Sequence, residues 1–359
     1  MGKTVMVAMS GGVDSSVAAM LAQRAGYDCI GCTMRLFDDA DATDAGSNGE
    51  DAAAVAAKLG MPFHVFDLRE PFRRCVIDDF VEQYSAGRTP NPCIVCNRTM
   101  KFGLLMEKAK ELGCDKLVTG HYARVVTDPE TGLHSLKKGL DPAKDQSYVL
   151  YHLSQEQLSH LLLPLGDLTK EQARRLAAEA GFVNADRPES QDICFVPDGN
   201  YAAMIRRYAG REFPPGDFVD LQGRVMGTHK GIIHYTIGQH KRLGQAFGVP
   251  RYVCAIDGEK NRITLGGPED VFSLTAKVTG CSWMSGQTPE EPVRCKVRLR
   301  YKQKEQWATV RPLAGCGDTT ECTASHAEIT FDEPQRAITP GQAAVFYDGD
   351  TVLGGGTIL

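Results

Sequence analysis

The chain of 359 residues is poor in several things, and each shortage excludes a class of protein. No apolar run approaches the roughly eighteen residues that a membrane helix needs. The first apolar run, Thr4-Val5-Met6-Val7-Ala8-Met9, is too short for a secretory signal and ends in glycines, so no signal peptide is expected. The net charge is only −5, so any nucleic-acid partner must be held by local patches rather than by overall basicity. There is no internal repeat. The first glycine-rich turn lacks a Gly-Lys-Ser/Thr ending, which disfavours kinase-like transfer of a γ-phosphate. Cysteine, in contrast, is plentiful at twelve residues. Without an export signal these point to a reducing cytoplasm, where disulfides are transient or catalytic. Most of them, such as Cys29, Cys75 and Cys254, read as small core residues. The length allows two or three domains, and 42% hydrophobic with 24% charged residues is the composition of an ordinary soluble protein.

The stretch Ser10-Gly11-Gly12-Val13-Asp14-Ser15-Ser16 organises the rest. The apolar, partly β-branched run before it reads as a buried strand, and Val17 to Arg24 after it as a helix. A strand, a glycine turn and a helix start give close backbone approach, free N–H groups and a positive dipole end. An anion is expected there.

Further along, elements alternate. Strands are expected over Asp28–Met34, Pro62–Phe66 and Lys116–Thr119, and helices over Asp51–Leu59, Pro71–Tyr84 and Thr99–Leu112. Phe37 to Glu50 reads as an acidic surface loop. The order argues for a parallel sheet with helices on both faces and a ligand at the carboxyl ends of the strands. Ser10, Met34 and Gly120-His121 fall at such ends. Ala123–Leu136 has the look of a hairpin, and Ser154/Gln157 and Thr169/Gln172 look like capping boxes. Tyr201–Tyr208 is a further helix. Short β-rich runs such as Gly231–Tyr235 follow. The composition shifts near 210 and again near 271, dividing the chain into 1–210, a small β-rich central domain at 211–270 and a β-barrel at 271–359.

Two cysteine neighbourhoods stand out. In Gly87-Arg88-Thr89-Pro90-Asn91-Pro92-Cys93-Ile94-Val95-Cys96-Asn97-Arg98, two prolines suggest an extended loop, and Arg98 and Lys101 are cations able to lower a thiol pKa. The second is Ser190-Gln191-Asp192-Ile193-Cys194-Phe195. Cys93, Cys96 and Cys194 are compatible with a metal or iron–sulfur site, although no fourth ligand is evident. Near the C-terminus Arg294, Lys296, Arg298, Arg300, Lys302 and Lys304 are spaced by two. On one strand face they could follow a phosphate backbone, or form the solvated outside of a barrel.

The loop at 10–16 resembles the pyrophosphate loop of N-type ATP pyrophosphatases. With Gly-Arg-Thr-Pro-Asn-Pro, Thr-Gly-His-Tyr at 119–122, Lys-Asp-Gln-Ser-Tyr at 144–148 and Asp-Ile-Cys-Phe at 192–195, the chain resembles the bacterial tRNA-specific 2-thiouridylases. Tyr235-Thr236-Ile237-Gly238-Gln239, Pro340-Gly341-Gln342 and Gly354-Gly355-Gly356 extend the likeness over all three expected domains. The resemblance implies an α/β PP-loop domain of the adenine nucleotide alpha hydrolase type. It further implies ATP-dependent formation of 2-thiouridine at the wobble position of tRNAs for Lys, Glu and Gln, through adenylation of the C2 carbonyl. By the same resemblance Ala8, Met9, Ser10, Gly11, Gly12, Val13, Asp14 and Ser15 hold ATP with Mg²⁺, and Met34 and Gly120 lie by the adenosine. Cys96 is the implied nucleophile and Cys194 the persulfide carrier. Asn91, Pro92 and Cys93 match the segment at the target base. Family members often have Asp where this chain has Cys93. His121, Lys144, Asp145, Gln146, Arg300, Tyr301 and Gln342 match tRNA contacts. An upstream sulfur carrier or cysteine desulfurase is the implied partner, and an iron–sulfur thiolase the competing reading.

Overall fold

The computed structural model describes residues 3–37, 49–185, 193–196, 199–313 and 325–359. A parallel sheet in the order β3-β2-β1-β4-β7 opens the chain, with β1 at Thr4–Ala8, β2 at Asp28–Arg35, β3 at Phe63–Asp67, β4 at Lys116–Val118 and β7 at Leu161–Leu162. The chain winds from β1 outward to β3, then returns to the other side of β1 as β4. The topological switch therefore lies between β1 and β4, where open parallel sheets place their ligands. Val5, Met6 and Val7 of β1 are wholly buried, as a central strand covered on both faces must be.

Both expected capping boxes form, with Ser154 and Gln157 opening Gln155–Ser159, and Thr169 and Gln172 opening Lys170–Glu179. One segment differs from its reading. The loop before the cysteines is extended only as far as Asn91, and Pro92–Cys96 is helical, running on through Asn97–Leu104 to Leu105–Glu111. Asn91 caps it by accepting the Cys93 N–H at 3.1 Å. Pro92 occupies the first helical turn, where its missing N–H costs nothing. So Pro92 starts a helix rather than prolonging a loop. Likewise Ile232–His234 is a short 3-10 turn and not a strand. The reading of Phe37 to Glu50 as a loop falls mostly on 38–48, outside the described residues.

The second sheet runs β10-β11-β8-β9, from Tyr252–Asp257, Arg262–Gly266, Gly216–Val219 and Val225–His229. The third contains β12 (Phe272–Trp283), β13 (Val293–Arg298), β14 (Gln306–Leu313), β15 (His326–Arg336), β16 (Ala343–Asp348) and β17 (Thr351–Ile358). These pair antiparallel in the order β12-β15-β14-β13-β16-β17, and β12 pairs with β17, closing a six-stranded barrel. The hairpin β5–β6 (Ala123–Thr127 and His134–Lys138) adds to β17 from outside, so the first sheet's domain reaches into the barrel's sheet.

The apolar cores are shared as well. Met6, Cys32 and Leu117 of the parallel sheet belong to one cluster with Met284, Val345 and Tyr347 of the barrel. Phe72, Phe80 and Met100 from the helices share another with Phe218, Val253 and Ile263 of the second sheet. No helix among the described residues is long and apolar enough to cross a membrane.

Candidate active site

A cleft of about 460 Å³ opens over the carboxyl ends of β1, β2 and β4. Its size is in the range of small-molecule sites. Ala8, Met9, Ser10, Asp14 and Ser15 line it from β1 and the turn, Met34 from β2, and Gly120 and His121 from the end of β4. Pro92, Cys93 and Cys96 close one side, and Ile193, Cys194 and Phe195 another. Three stretches more than seventy residues apart in sequence thus meet in one cavity.

The glycine turn is fixed from inside. The Ser15 hydroxyl donates to the Gly12 carbonyl at 3.1 Å and accepts the Ser10 N–H at 3.1 Å. Asn184, which sequence reasoning missed, donates to the Gly11 carbonyl at 2.7 Å and to the Ser16 hydroxyl at 2.9 Å from a buried position. Gly12 caps the helix Val13–Arg24 with no side chain of its own over the free N–H groups. Gly120 has no room for more: a Cβ there would sit 2.9 Å from the backbone of Asp14 and of Ser15.

Asp14 is not solitary. Its carboxylate accepts from the Tyr122 hydroxyl at 2.8 Å and from the Lys170 ammonium at 2.7 and 2.8 Å. The sequence shows no lysine after the glycine turn, yet the fold delivers one from 156 residues away. Its only signal in the sequence is its place directly after the Thr169 cap, since the first residue of a capped helix has a fixed direction. The uncapped N–H groups of the helix start and the Lys170 ammonium can take a phosphate chain, and the Asp14 carboxylate offers the hard oxygens that Mg²⁺ prefers.

Among the cysteines, Cys93 and Cys194 are exposed to the cleft and Cys96 is half-buried. Burial pushes the Cys96 thiol up to about 11 and the Cys194 thiol up to about 12, while the Lys101 ammonium pulls both down. Cys93 is likewise raised by burial and lowered by Lys101. Accessibility and a raised pKa coexist because these thiols sit in the wall of a deep cleft: water reaches them, but protein surrounds them. The expectation of thiols lowered by Arg98 and Lys101 is therefore corrected. Lys101 acts in the stated sense but burial outweighs it, and Arg98 bears instead on Tyr151 and His152. Cys194 is raised further by Cys96 and Cys93, so the three thiols lie within electrostatic reach of one another. Ser190, Gln191 and Asp192 of the second neighbourhood lie outside the described residues. No three His, Cys, Asp or Glu side chains among the described residues are gathered as a metal set.

Of the other singled-out residues, His121 and Gln146 line the cleft. His121 is held well below its ordinary range by burial, then by Lys101 and His152, and is neutral at pH 7. Its ring meets the Thr119 hydroxyl at 2.8 Å and the Lys101 ammonium at 3.5 Å. Gln146 accepts the Tyr122 N–H at 2.9 Å. Lys144 is half-buried nearby. Asp145 is buried and engaged by Arg298 at 3.2 Å and by the Gly139 and Ser147 N–H groups. Arg300 donates to the Ala337 carbonyl and to the Thr339 hydroxyl, and Tyr301 is exposed beside Tyr148. Gln342 donates to the Thr89 carbonyl at 2.7 Å.

The cationic stripe is not one continuous face. Strand β13 ends at Arg298, and acids from other strands and loops answer its cations. Arg294 makes two bonds to Asp332, at 2.7 and 2.6 Å, and Arg298 pairs with Asp145 and with Glu305 at 3.1 Å.

The fold and the cleft define a nucleotide-loop α/β domain carrying two β modules. Residues 3–198 match the family model described as tRNA methyl transferase HUP domain, 202–267 the tRNA methyl transferase PRC-barrel domain, and 273–358 the aminomethyltransferase beta-barrel domain. The chain belongs to the tRNA-specific 2-thiouridylase family. It is 46% identical to the tRNA-specific 2-thiouridylase of Clostridioides difficile, over 100% of this chain and 98% of that protein. Against the namesake of Carboxydothermus hydrogenoformans identity is 48%, over 99% of this chain and 97% of that one. Among solved structures, the U34-tRNA thiolase NcsA from Methanococcus maripaludis with its 4Fe–4S cluster aligns over 58% of this chain and 72% of its own, at 16% identity and a TM-score of 0.35.

Proposed function

We propose that the protein replaces the C2 oxygen of the wobble uridine in tRNAs for Lys, Glu and Gln by sulfur, with ATP as the activating substrate. One observation carries the reading: the glycine turn built for a phosphate chain and the cysteines Cys93, Cys96 and Cys194 line the same cleft. The family models' descriptions speak of methyl transfer and the curated relatives of thiolation. Three thiols at the nucleotide cleft favour sulfur.

In this reading residues 1–210 carry the chemistry and the barrel at 271–359 contacts the tRNA, with the small central domain at 211–270 between them. The ATP phosphates lie along residues 8–15, with Met34 and Gly120 at the adenosine. Asp14 would hold Mg²⁺, which would screen the phosphate charge, once Lys170 yields the carboxylate oxygens it now engages at 2.7 and 2.8 Å. The target base leaves its stack to reach the cleft, past Asn91, Pro92 and Cys93. Oxygen is a poor leaving group from a uracil C2, so the C2 oxygen first attacks the α-phosphorus and pyrophosphate departs. The terminal sulfur of a Cys194 persulfide then attacks C2 and AMP departs. The Cys96 thiolate attacks the Cys194 sulfur, forming a Cys96–Cys194 disulfide and releasing the C2 sulfur to the base. An external thiol supplies the two electrons that reopen the disulfide. The persulfide sulfur arrives from an upstream carrier or cysteine desulfurase, and a reducing cytoplasm suits the cycle.

The test is nucleoside analysis of tRNA from cells lacking the protein. Loss of wobble 2-thiouridine is expected. Unchanged 2-thiouridine would refute the proposal.

A further inference from the structure

Cys93 and Cys96 hang from a short segment, 87–91, that is gripped from two sides. On one side is the barrel. The Thr89 N–H donates to the Pro340 carbonyl at 2.8 Å, and the Thr89 carbonyl accepts the Gln342 side-chain amide at 2.7 Å. Both backbone groups of Thr89 are thus taken by one barrel loop. Gly341 between them has φ +90°, and a Cβ on it would lie 3.0 Å from the Thr89 backbone. The barrel loop is itself anchored, since the Gly341 N–H donates to the Ile358 carbonyl at 2.9 Å and the Ile358 N–H to the Gln342 carbonyl at 2.8 Å.

On the other side is the second sheet. Gly87 has φ +78°, and its Cβ position is 2.7 Å from the Ile256 side chain. A Cβ on Gly258 would lie 2.9 Å from the backbone of Ala86 and Ser85. Two residues beyond Thr89, Asn91 caps the helix start that carries Cys93 and, one turn on, Cys96.

We propose that Gln342 and Gly341 are positioning residues for Cys96, acting through Thr89 and the Asn91 cap. The barrel sets where the thiol-bearing helix begins, so whatever seats on the barrel is coupled to the nucleophile through a two-bond clip. This rests on Cys96 being the nucleophile. It gives Gln342 a task within the protein, carried by the side-chain N–H that the Thr89 carbonyl accepts.

The test uses the full-length protein without RNA. Gln342→Ala removes one bond of the clip, and Gly341→Ala forces a Cβ against Thr89. Cys96 alkylation by iodoacetamide, resolved by peptide mass spectrometry, should accelerate by about 2- to 10-fold in Gln342→Ala, the worth of one hydrogen bond, and by at least as much in Gly341→Ala. A loosened start of the helix admits reagent to a half-buried thiol. ATP affinity, measured on the same samples, should match the wild type. With saturating tRNA and ATP added, Gln342→Ala should lower the single-turnover thiolation rate. An unchanged alkylation rate in both variants overturns the proposal, whatever tRNA affinity does. A parallel fall in ATP affinity also overturns it, because the variants would then have loosened the whole domain. The alkylation arm needs no thiolation activity, so its outcome is independent of the proposed reaction.

Discussion

Arg298→Met removes a cation that the fold holds on three sides. One arm of the guanidinium meets Asp145 at 3.2 Å, the other meets Glu305 at 3.1 Å, and the plane lies 5.2 Å from the Tyr347 ring centre. The side chains of Arg298 and Asp145 are only 14% and 3% exposed, so the pair is buried. After the change Glu305 keeps Lys138 at 2.6 Å, whereas Asp145 keeps only the N–H groups of Gly139 and Ser147. Breaking a buried pair by removing one partner costs about 3–5 kcal/mol, and the two retained N–H bonds place this case near ~3 kcal/mol. With a urea dependence of about 2 kcal/mol/M, the unfolding midpoint should fall by ~1.5 M. Fluorescence is a specific probe, because the two tryptophans of the chain, Trp283 and Trp307, both lie on barrel strands. The salt dependence of tRNA binding should not change. A midpoint within about 0.3 M of the wild type, together with a shallower salt slope, would refute the structural role and return Arg298 to a phosphate contact.

Other perturbations separate the parts of the cleft. Gly120→Ala should abolish ATP binding in isothermal titration, since its Cβ would meet backbone of Asp14 and Ser15 at 2.9 Å and neither can yield cheaply; unchanged affinity would show that the β4 end does not border the nucleotide. Lys170→Met leaves the Asp14 carboxylate with the Tyr122 hydroxyl and no ammonium. The bond lost is a charge-assisted one within the protein, of ~1.5–3 kcal/mol, so stability in urea unfolding should fall by about that amount, and an unchanged midpoint would show that the pair does not hold the turn. The Cys96 thiol, pushed up to about 11, should alkylate roughly tenfold faster per pH unit between about pH 7 and 10, because only the thiolate reacts. A plateau below pH 9 would mean that Lys101 outweighs burial.

Local signals carried much of this architecture. The strand–glycine–helix stretch at 10–16, the two capping boxes and the hairpin at 123–138 are each specified by neighbours in the chain, and each forms. What was not legible depends on partners distant in sequence. The pairing of Lys170 with Asp14 and the bond from Asn184 to the glycine turn join residues that no spacing rule connects. The run from Arg294 to Lys304 contains no acid of its own, and the acids that pair with it stand elsewhere, at Asp145 and Asp332, and across a turn at Glu305. The extended-loop expectation at Pro92 fails for a different reason: proline suits both an extended loop and a first helical turn, and the Asn91 cap selects the helix. The thiol pKa values could not be read from adjacent cations, since burial is a property of the assembled cleft.

In the proposed reaction one cleft couples cleavage of ATP to sulfur transfer onto tRNA. The most direct measurement incubates the purified protein with unthiolated tRNA for Lys, Glu or Gln, Mg-ATP and a persulfide donor, then counts nucleotide products and 2-thiouridine together. One AMP and one pyrophosphate are expected for each 2-thiouridine, with both signals lost in Asp14→Ala, and a Cys96–Cys194 disulfide recovered when no reductant is present. ADP as the nucleotide product, or 2-thiouridine formed at the wild-type rate by Cys96→Ser, would contradict it.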